Sequence, residues 1–184
     1  MHHFRYVKGR LHCEGSSIEA LVEQYGSPLY VYSSQTLSDH YTRLSQSLSE
    51  LDHSICYAVK ANSNLGVLHT LAKLGSGFDT VSQGELMRVK AAGGQLNQCV
   101  FAGVGKTAEE IRYALKQGIY AFNVESLPEL ERIHAVAKSL GKKAPVAIRV
   151  NPNVEAKTHA KITTGTYENK FGVAFEEIEA LYAK

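Results

Sequence analysis

Residues 54–62, Ser-Ile-Cys-Tyr-Ala-Val-Lys-Ala-Asn, decide the fold. They contain a short β-rich run whose last residue is a lysine, Lys60. Side chains alternate across a strand, so Cys56, Ala58 and Lys60 are expected to share one face. If the strand belongs to a parallel barrel, Lys60 lies at its carboxyl end, where barrel enzymes carry their chemistry. An amine among apolar neighbours there is disfavoured in its charged form and becomes usable as a nucleophile or Schiff-base partner. The alternative is a rim lysine that extends to water.

Similar strand-like runs recur after Lys60, and their ends at 82, 103, 125 and 151 continue a spacing of 21 to 26 residues from position 60. The segments between these runs carry the start and stop signals of helices. Capping-box spacing is present at Ser82–Glu85, Thr107–Glu110 and Ser126–Glu129. Glycine stops follow at Gly75, Gly93, Gly118 and Gly141. Alternating strands and helices at this spacing predict an α/β fold with a parallel sheet.

The absence of a dinucleotide-binding turn distinguishes a barrel from an open doubly wound sheet. Residues 61–64 after the lysine, Ala-Asn-Ser-Asn, contain no G-x-G-x-x-G pattern. Polar residues such as Asp79, Asn123 and Arg149 instead lie near the strand ends, as at a barrel mouth. We therefore predict a partial (β/α)8 TIM-type barrel of about five of the eight units. The chain also stops inside an apparent helix after Phe175, and we expect it to be a portion of a longer protein.

The first part of the chain is less periodic. Residues 4–13 predict a strand or hairpin turning at Gly9, residues 17–25 a helix, and residues 29–32 a second strand. A helix capped by Ser33 or Ser34 is then expected to extend to Leu51. The predicted division is an amino-terminal segment, 1–27, and a partial barrel, 28–184.

Composition excludes several classes of protein. The 184 residues are 44% hydrophobic and carry a formal charge of +2, with no dense basic run of the kind that binds nucleic acid. No stretch has the pattern of a leader or a membrane span, so we expect a cytoplasmic protein. Cys13, Cys56 and Cys99 lack metal-ligand spacing, and no metal is expected.

Five blocks of sequence, taken in order, resemble the diaminopimelate decarboxylases, which belong to the pyridoxal-phosphate decarboxylases with an alanine-racemase-like barrel. The blocks are residues 57–62 (YAVKAN), 77–86 (GFDTVSQGEL), 149–152 (RVNP), 158–165 (THAKITTG) and 170–172 (KFG). The resemblance covers nearly all of this chain but only about the first half of the family's length. It implies that residues 4–13 contribute a strand to a second, all-β domain.

The resemblance also implies roles for particular residues. Lys60 would bind pyridoxal 5'-phosphate covalently as a Schiff base, and Asp79 and Arg149 would line the cofactor pocket as a charged pair. Ser82 heads a capping box, so a cofactor contact is its secondary role. His159 and Lys161 match the family's loop near the substrate. The family's phosphate-binding turn and its partner for the pyridine nitrogen would lie beyond Lys184.

The function implied for the intact protein is decarboxylation of meso-diaminopimelate to L-lysine by a homodimer with shared active sites. The 184 residues alone are expected to be inactive. Three alternatives stay open: a related decarboxylase acting on ornithine, arginine or carboxynorspermidine, a non-catalytic half-barrel that binds the cofactor, and unrelated aldolase-type chemistry at Lys60.

Overall fold

The computed structural model describes residues 2–151 and 171–183. Within these residues, strands and helices alternate along most of the chain. The strands are Phe4–Val7 (β1), Arg10–Cys13 (β2), Ser16–Ser17 (β3), Cys56–Ala58 (β4), Gly77–Thr80 (β5), Cys99–Phe101 (β6), Ala121–Val124 (β7), Val146–Ile148 (β8), Val150–Asn151 (β9) and Val173–Ala174 (β10). The α-helices are Ile18–Tyr25 (α1), Ser34–Ser47 (α2), Leu65–Lys73 (α3), Gln83–Ala91 (α4), Ala108–Gln117 (α5), Leu127–Ser139 (α6) and Ile178–Tyr182 (α7).

A five-stranded parallel sheet with the order β4-β5-β6-β7-β8 forms the centre of the molecule. Each strand lies next to the strand that precedes it in the sequence, which is the order of a (β/α) barrel and not of a doubly wound sheet. The predicted fold class is confirmed.

The sheet continues beyond β8 through Arg149. The backbone N–H of Arg149 donates to the carbonyl of Val124 in β7 at 2.8 Å, and its own carbonyl accepts from the N–H of Val173 in β10 at 2.8 Å. Strands β9 and β10 then pair in parallel. The predicted strand that ends at Asn151 is present as β8 and β9, whereas the sequence pattern does not predict its partner at Val173–Ala174.

The two faces of the sheet differ in polarity. One face carries Phe78, Phe101 and Phe122, which are fully buried against the helices. The rings of Phe101 and Phe122 stack with centroids 6.0 Å apart. Because side chains alternate along each strand, the other face carries the intervening residues, including Asp79 and Asn123, which are only half buried. A dry core therefore fixes the strands while the opposite face presents polar groups.

The helix ends predicted from the stop glycines are confirmed, but α2 ends at Ser47 and not at Leu51 as predicted, and two capping boxes differ in detail. The four predicted stop glycines, Gly75, Gly93, Gly118 and Gly141, all have positive φ. Thr107 and Glu110 form the full reciprocal capping box of α5. In α4 and α6 the serine caps as predicted, but the glutamates instead accept from the N–H of Val81 and of Glu125, one residue before the cap.

The amino-terminal residues form a separate antiparallel sheet of β1, β2 and β3. The predicted hairpin and the helix after it are confirmed, whereas the predicted strand at 29–32 is wrong. Those residues pair with no strand in the part of the chain that is described, and Tyr30 is 83% exposed. No helix in the described ranges is long and apolar enough to cross a membrane.

Glu14 joins this small sheet to the start of α2. Its carboxylate accepts from the backbone N–H of Gln35 at 2.9 Å and from the hydroxyl of Ser33 at 2.7 Å. These hydrogen bonds lower the pKa of Glu14. An anion at a helix amino terminus is also favoured by the helix dipole. The hairpin is thereby held against the barrel.

We expect Glu14→Gln to loosen the start of α2. The lost charge-assisted hydrogen bonds contribute about 1 kcal/mol at this half-buried site, which corresponds to roughly fivefold faster amide exchange at Gln35 and Thr36. The folded-state pKa of Glu14 is below its ordinary value of 4.5, so the contribution is complete above that value and is lost as the pH falls through the folded-state pKa.

Hydrogen-exchange mass spectrometry at several pH values measures the ratio of the amide exchange rates of the variant and the wild type at the start of α2. Glu19→Gln is the matched control, because the ion pair of Glu19 with Arg10, at 3.3 Å, is exposed on both sides and contributes little. Equal exchange rates in wild type and Glu14→Gln at neutral pH would contradict the assignment.

Candidate active site at the carboxyl ends of the strands

Lys60 lies at the expected edge of the sheet, but not on a strand. Strand β4 ends at Ala58, which pairs with Asp79, and residues Val59–Ala61 form a single turn of 3₁₀ helix. Val59 is fully buried in the core, and Lys60 is exposed. The prediction that Lys60 shares a strand face with Cys56 and Ala58 is therefore wrong, and the expected shielding by apolar neighbours is not seen among the described residues.

Asp79 is the polar group at the centre of this edge. Its Oδ1 atom is buried and has no hydrogen-bond partner among the described residues. Burial raises the pKa of Asp79 and the charge of Glu125 adds to this, while the positive charges of Lys60, Arg149 and Lys106 oppose it. The carboxylate therefore has an unused acceptor and lies in the field of three cations.

Arg149 pairs with Glu125 and not with Asp79. Its Nη1 atom is 3.1 Å from Oε2 of Glu125, and its guanidinium carbon lies 5.7 Å from the centroid of the Phe171 ring. The predicted direct pair of Asp79 and Arg149 is corrected for a geometric reason. Arg149 follows β8, and Glu125 directly follows the adjacent strand β7, so Glu125 is the carboxylate that takes the guanidinium.

Lys106 is a buried lysine whose burial the sequence pattern does not predict. Its side chain is 1% exposed, and its ammonium donates to Oε1 of Glu129 at 2.5 Å and to the carbonyls of Gly103 at 2.8 Å and Asn123 at 2.9 Å. It also lies 5.5 Å from the centroid of the Phe101 ring. All three donors of the ammonium are satisfied, so Lys106 ties the loop after β6 to the end of β7 and to α6. In the sequence, Lys106 follows two glycines in a short loop and has no periodic signal of burial.

The remaining predicted site residues have different outcomes. Ser82 caps α4, accepting from the N–H of Glu85 at 3.2 Å, which confirms its structural role. Its cofactor contact stays a prediction. His159 and Lys161 lie outside the described residues.

The site combines an accessible amine, an unpartnered buried carboxylate oxygen and a half-exposed guanidinium at one edge of a parallel barrel-type sheet. An exposed lysine can react with a carbonyl compound, a carboxylate with a spare acceptor can receive a hydrogen bond or stabilise a cation, and an arginine can bind an anionic oxygen. This set is compatible with an aldehyde cofactor that carries both a cationic group and anionic oxygens. Pyridoxal phosphate fits that description.

The chain belongs to the pyridoxal-dependent decarboxylase family, because residues 34–184 match the family model described as "Pyridoxal-dependent decarboxylase, pyridoxal binding domain". The predicted family and cofactor are thereby confirmed.

Curated relatives agree with this assignment. The chain is 52% identical over 181 residues to a diaminopimelate decarboxylase of Pseudomonas aeruginosa and 54% identical over 183 residues to one of Vibrio cholerae. These alignments include 98% and 99% of this chain but 44% of each relative. The chain therefore spans less than half the length of these relatives.

Solved structures show the same fold. A diaminopimelate decarboxylase from M. jannaschii in co-complex with L-lysine matches with a TM-score of 0.86 and 41% identity, covering 98% of this chain and 43% of that one. A lysine/ornithine decarboxylase from Vibrio vulnificus complexed with cadaverine matches with a TM-score of 0.72 and 26% identity, covering 90% and 40%.

We expect Gly172→Ala to disturb the site through the backbone of Arg149. Gly172 has φ +109°, and a Cβ atom there would lie 2.8 Å from the carbonyl oxygen of Arg149 and 3.2 Å from the N–H nitrogen of Asn151. Neither backbone group moves without shifting the strand. We expect about tenfold weaker binding of pyridoxal phosphate in the complete protein, measured by fluorescence titration.

Gly141→Ala is the matched control for Gly172→Ala. Gly141 also has positive φ, 62°, but nothing lies within 4 Å of the added Cβ. This variant carries the backbone strain without the clash, so its cofactor affinity is expected to equal that of wild type. Similar affinities for both variants and wild type would contradict the role given to Gly172.

Proposed function

We propose that this chain is the cofactor-binding portion of a pyridoxal-phosphate-dependent decarboxylase that converts meso-diaminopimelate to L-lysine. The observation that carries the proposal is that Lys60 follows Ala58, the strand partner of Asp79, by two residues, and that the buried Oδ1 atom of Asp79 lacks a hydrogen-bond partner among the described residues. Membership of the family over residues 34–184 supports it.

Each residue of the site has a distinct task in this proposal. Lys60 is the covalent anchor, and its exposure leaves the amine open to a carbonyl carbon. Asp79 offers its free oxygen to a cationic or hydrogen-bond-donating group beside that anchor. Arg149 would face an anionic oxygen of the cofactor, and Ser82 would contribute a secondary contact to the cofactor. Bound pyridoxal phosphate supplies an electron sink that stabilises negative charge at the α-carbon after carbon dioxide leaves.

Diaminopimelate is proposed as the substrate because the relatives with this name are about half identical to the chain. The alternative is a decarboxylase for ornithine, arginine or carboxynorspermidine. The lysine/ornithine enzyme noted above is 26% identical, which favours diaminopimelate. His159 and Lys161 are proposed to act near the substrate.

We propose further that the complete protein is a cytoplasmic homodimer with shared active sites. Residues 1–27 would contribute to a second domain and residues 28–184 to the barrel. The free state of Cys13, Cys56 and Cys99 is consistent with a reducing compartment. The groups that bind the phosphate and the pyridine nitrogen would come from outside these 184 residues, so we expect the 184-residue chain alone not to decarboxylate.

The decisive experiment is to treat the complete protein with pyridoxal phosphate, reduce it with borohydride and map the modified peptide by mass spectrometry. We expect a single adduct on Lys60. It should be absent from Lys60→Ala, since alanine has no amine to form the Schiff base that borohydride reduces. Lys73→Ala is the control, because Lys73 is an exposed lysine at the end of α3, away from the site. It should retain the adduct.

Labelling scattered over surface lysines, or unchanged in Lys60→Ala, would disprove the assignment of the anchor. Substrate choice is tested separately by carbon dioxide release. Release from ornithine but not from diaminopimelate would exclude the proposed substrate while leaving the reaction class intact.

A further inference from the structure

We propose that Glu125 is a positioning residue, which holds the guanidinium of Arg149 to one side of the barrel mouth and so keeps the free oxygen of Asp79 available to a ligand. This inference deepens the proposed function and rests on it for the identity of the ligand. The relation among Glu125, Arg149 and Asp79 can be tested without any ligand.

Glu125 is held in place at every polar atom of its side chain. The side chain is 2% exposed. Its Oε1 atom accepts from the N–H of Gly103 at 2.9 Å, and its Oε2 atom accepts from Nη1 of Arg149 at 3.1 Å. Its own backbone N–H donates to Oε2 of Glu129 at 2.8 Å. The carboxylate therefore cannot turn away from Arg149 without breaking its hydrogen bond to Gly103.

Lys106 does not compete with Arg149 for Glu125. Its three donors are already used by Glu129, Gly103 and Asn123. A buried carboxylate needs a compensating charge, and among the described residues Arg149 is the cation that forms an ion pair with Glu125. Glu125 thus pairs with Arg149 because the ammonium of Lys106 is already fully hydrogen-bonded to other groups.

Arg149, in contrast, is far more exposed than Glu125. Its side chain is 49% exposed, and one face packs against Phe171. Both Glu125 and Asp79 are anions within its field, and the Oδ1 atom of Asp79 has an open acceptor position. Without the charge of Glu125, the guanidinium would be attracted to that oxygen, since charge-assisted hydrogen bonds are among the strongest in proteins. The carboxylate of Asp79 would then already be bound to Arg149 when the ligand arrives.

The test measures the ionisation of Asp79 in the cofactor-free complete protein, by carboxyl ¹³C NMR of labelled aspartate assigned with Asp79→Asn. The charged groups facing Asp79 are Lys60, Arg149, Glu125 and Lys106. Arg149→Gln removes a stabilising positive charge and should raise the pKa of Asp79 in wild type. In the Glu125→Gln background, the same change should have a roughly tenfold larger effect on the ionisation constant, because Arg149 would then be bonded to Asp79.

Glu125→Asp provides a second test that keeps the charge. The shorter side chain cannot reach both Gly103 and Arg149, so the effect of Arg149→Gln should again increase, and this variant decides the question if Glu125→Gln does not fold. Glu85→Gln is the matched control. Glu85 accepts from the N–H of Val81 at 2.8 Å, as Glu129 does from Glu125, and it should leave the effect of Arg149→Gln unchanged.

An equal effect of Arg149→Gln in the wild-type and Glu125 backgrounds would overturn the inference, since Glu125 would then act on Asp79 only through its own charge. As a second readout, Glu125→Gln should weaken pyridoxal phosphate binding about tenfold, and Glu85→Gln should not. Failure of the proposed function is distinguishable, because it would remove the Lys60 adduct while leaving the titration result intact.

Discussion

The burial of the Lys106 ammonium is the constraint on which the mouth of the barrel depends. A charge removed from water costs several kcal/mol, unless opposite charges and acceptors surround it. Here the acceptors come from the loop after β6, from the end of β7 and from α6. Those three pieces of chain must therefore meet in one arrangement, in which the cap of α6 and the position of Glu125 are set together.

The two faces of the sheet differ in what they contribute. The face toward the helices is packed with buried phenylalanines, which stabilise the fold without the polar groups. The opposite face carries small side chains, such as Ala58 and Val100, on either side of Asp79. Because the aromatic face packs against the helices, Asp79 is positioned by its strand and, among the described residues, not by a hydrogen bond to Oδ1. Buried polar atoms are nearly always hydrogen-bonded, so an unpartnered oxygen marks a position where a ligand can bind.

Much of this fold follows from local sequence signals, and the site follows only in part. Caps and stop glycines are encoded within a few residues, so α4, α5 and α6 could be placed from the sequence alone. The turn at Lys60 could not, because it depends on Val59 entering the core directly after β4 ends at Ala58. The partner of Arg149 depends on the order of strands, and the burial of Lys106 depends on acceptors that are 17 and 23 residues away in the chain. These are tertiary properties, and no periodicity of the sequence reports them.

The pairing of charges at the mouth explains which groups are left for chemistry. Lys106 is joined to Glu129, and Arg149 to Glu125, so each of these charges is balanced by a neighbour within hydrogen-bond distance. Within the described residues, Lys60 and Asp79 interact through their charges, but no hydrogen bond links them to each other. A ligand that entered here would compete with established ion pairs at Glu129 or Glu125, but not at Asp79. The amine of Lys60 and the carboxylate of Asp79 therefore stay available to a ligand, because the surrounding charges are already paired.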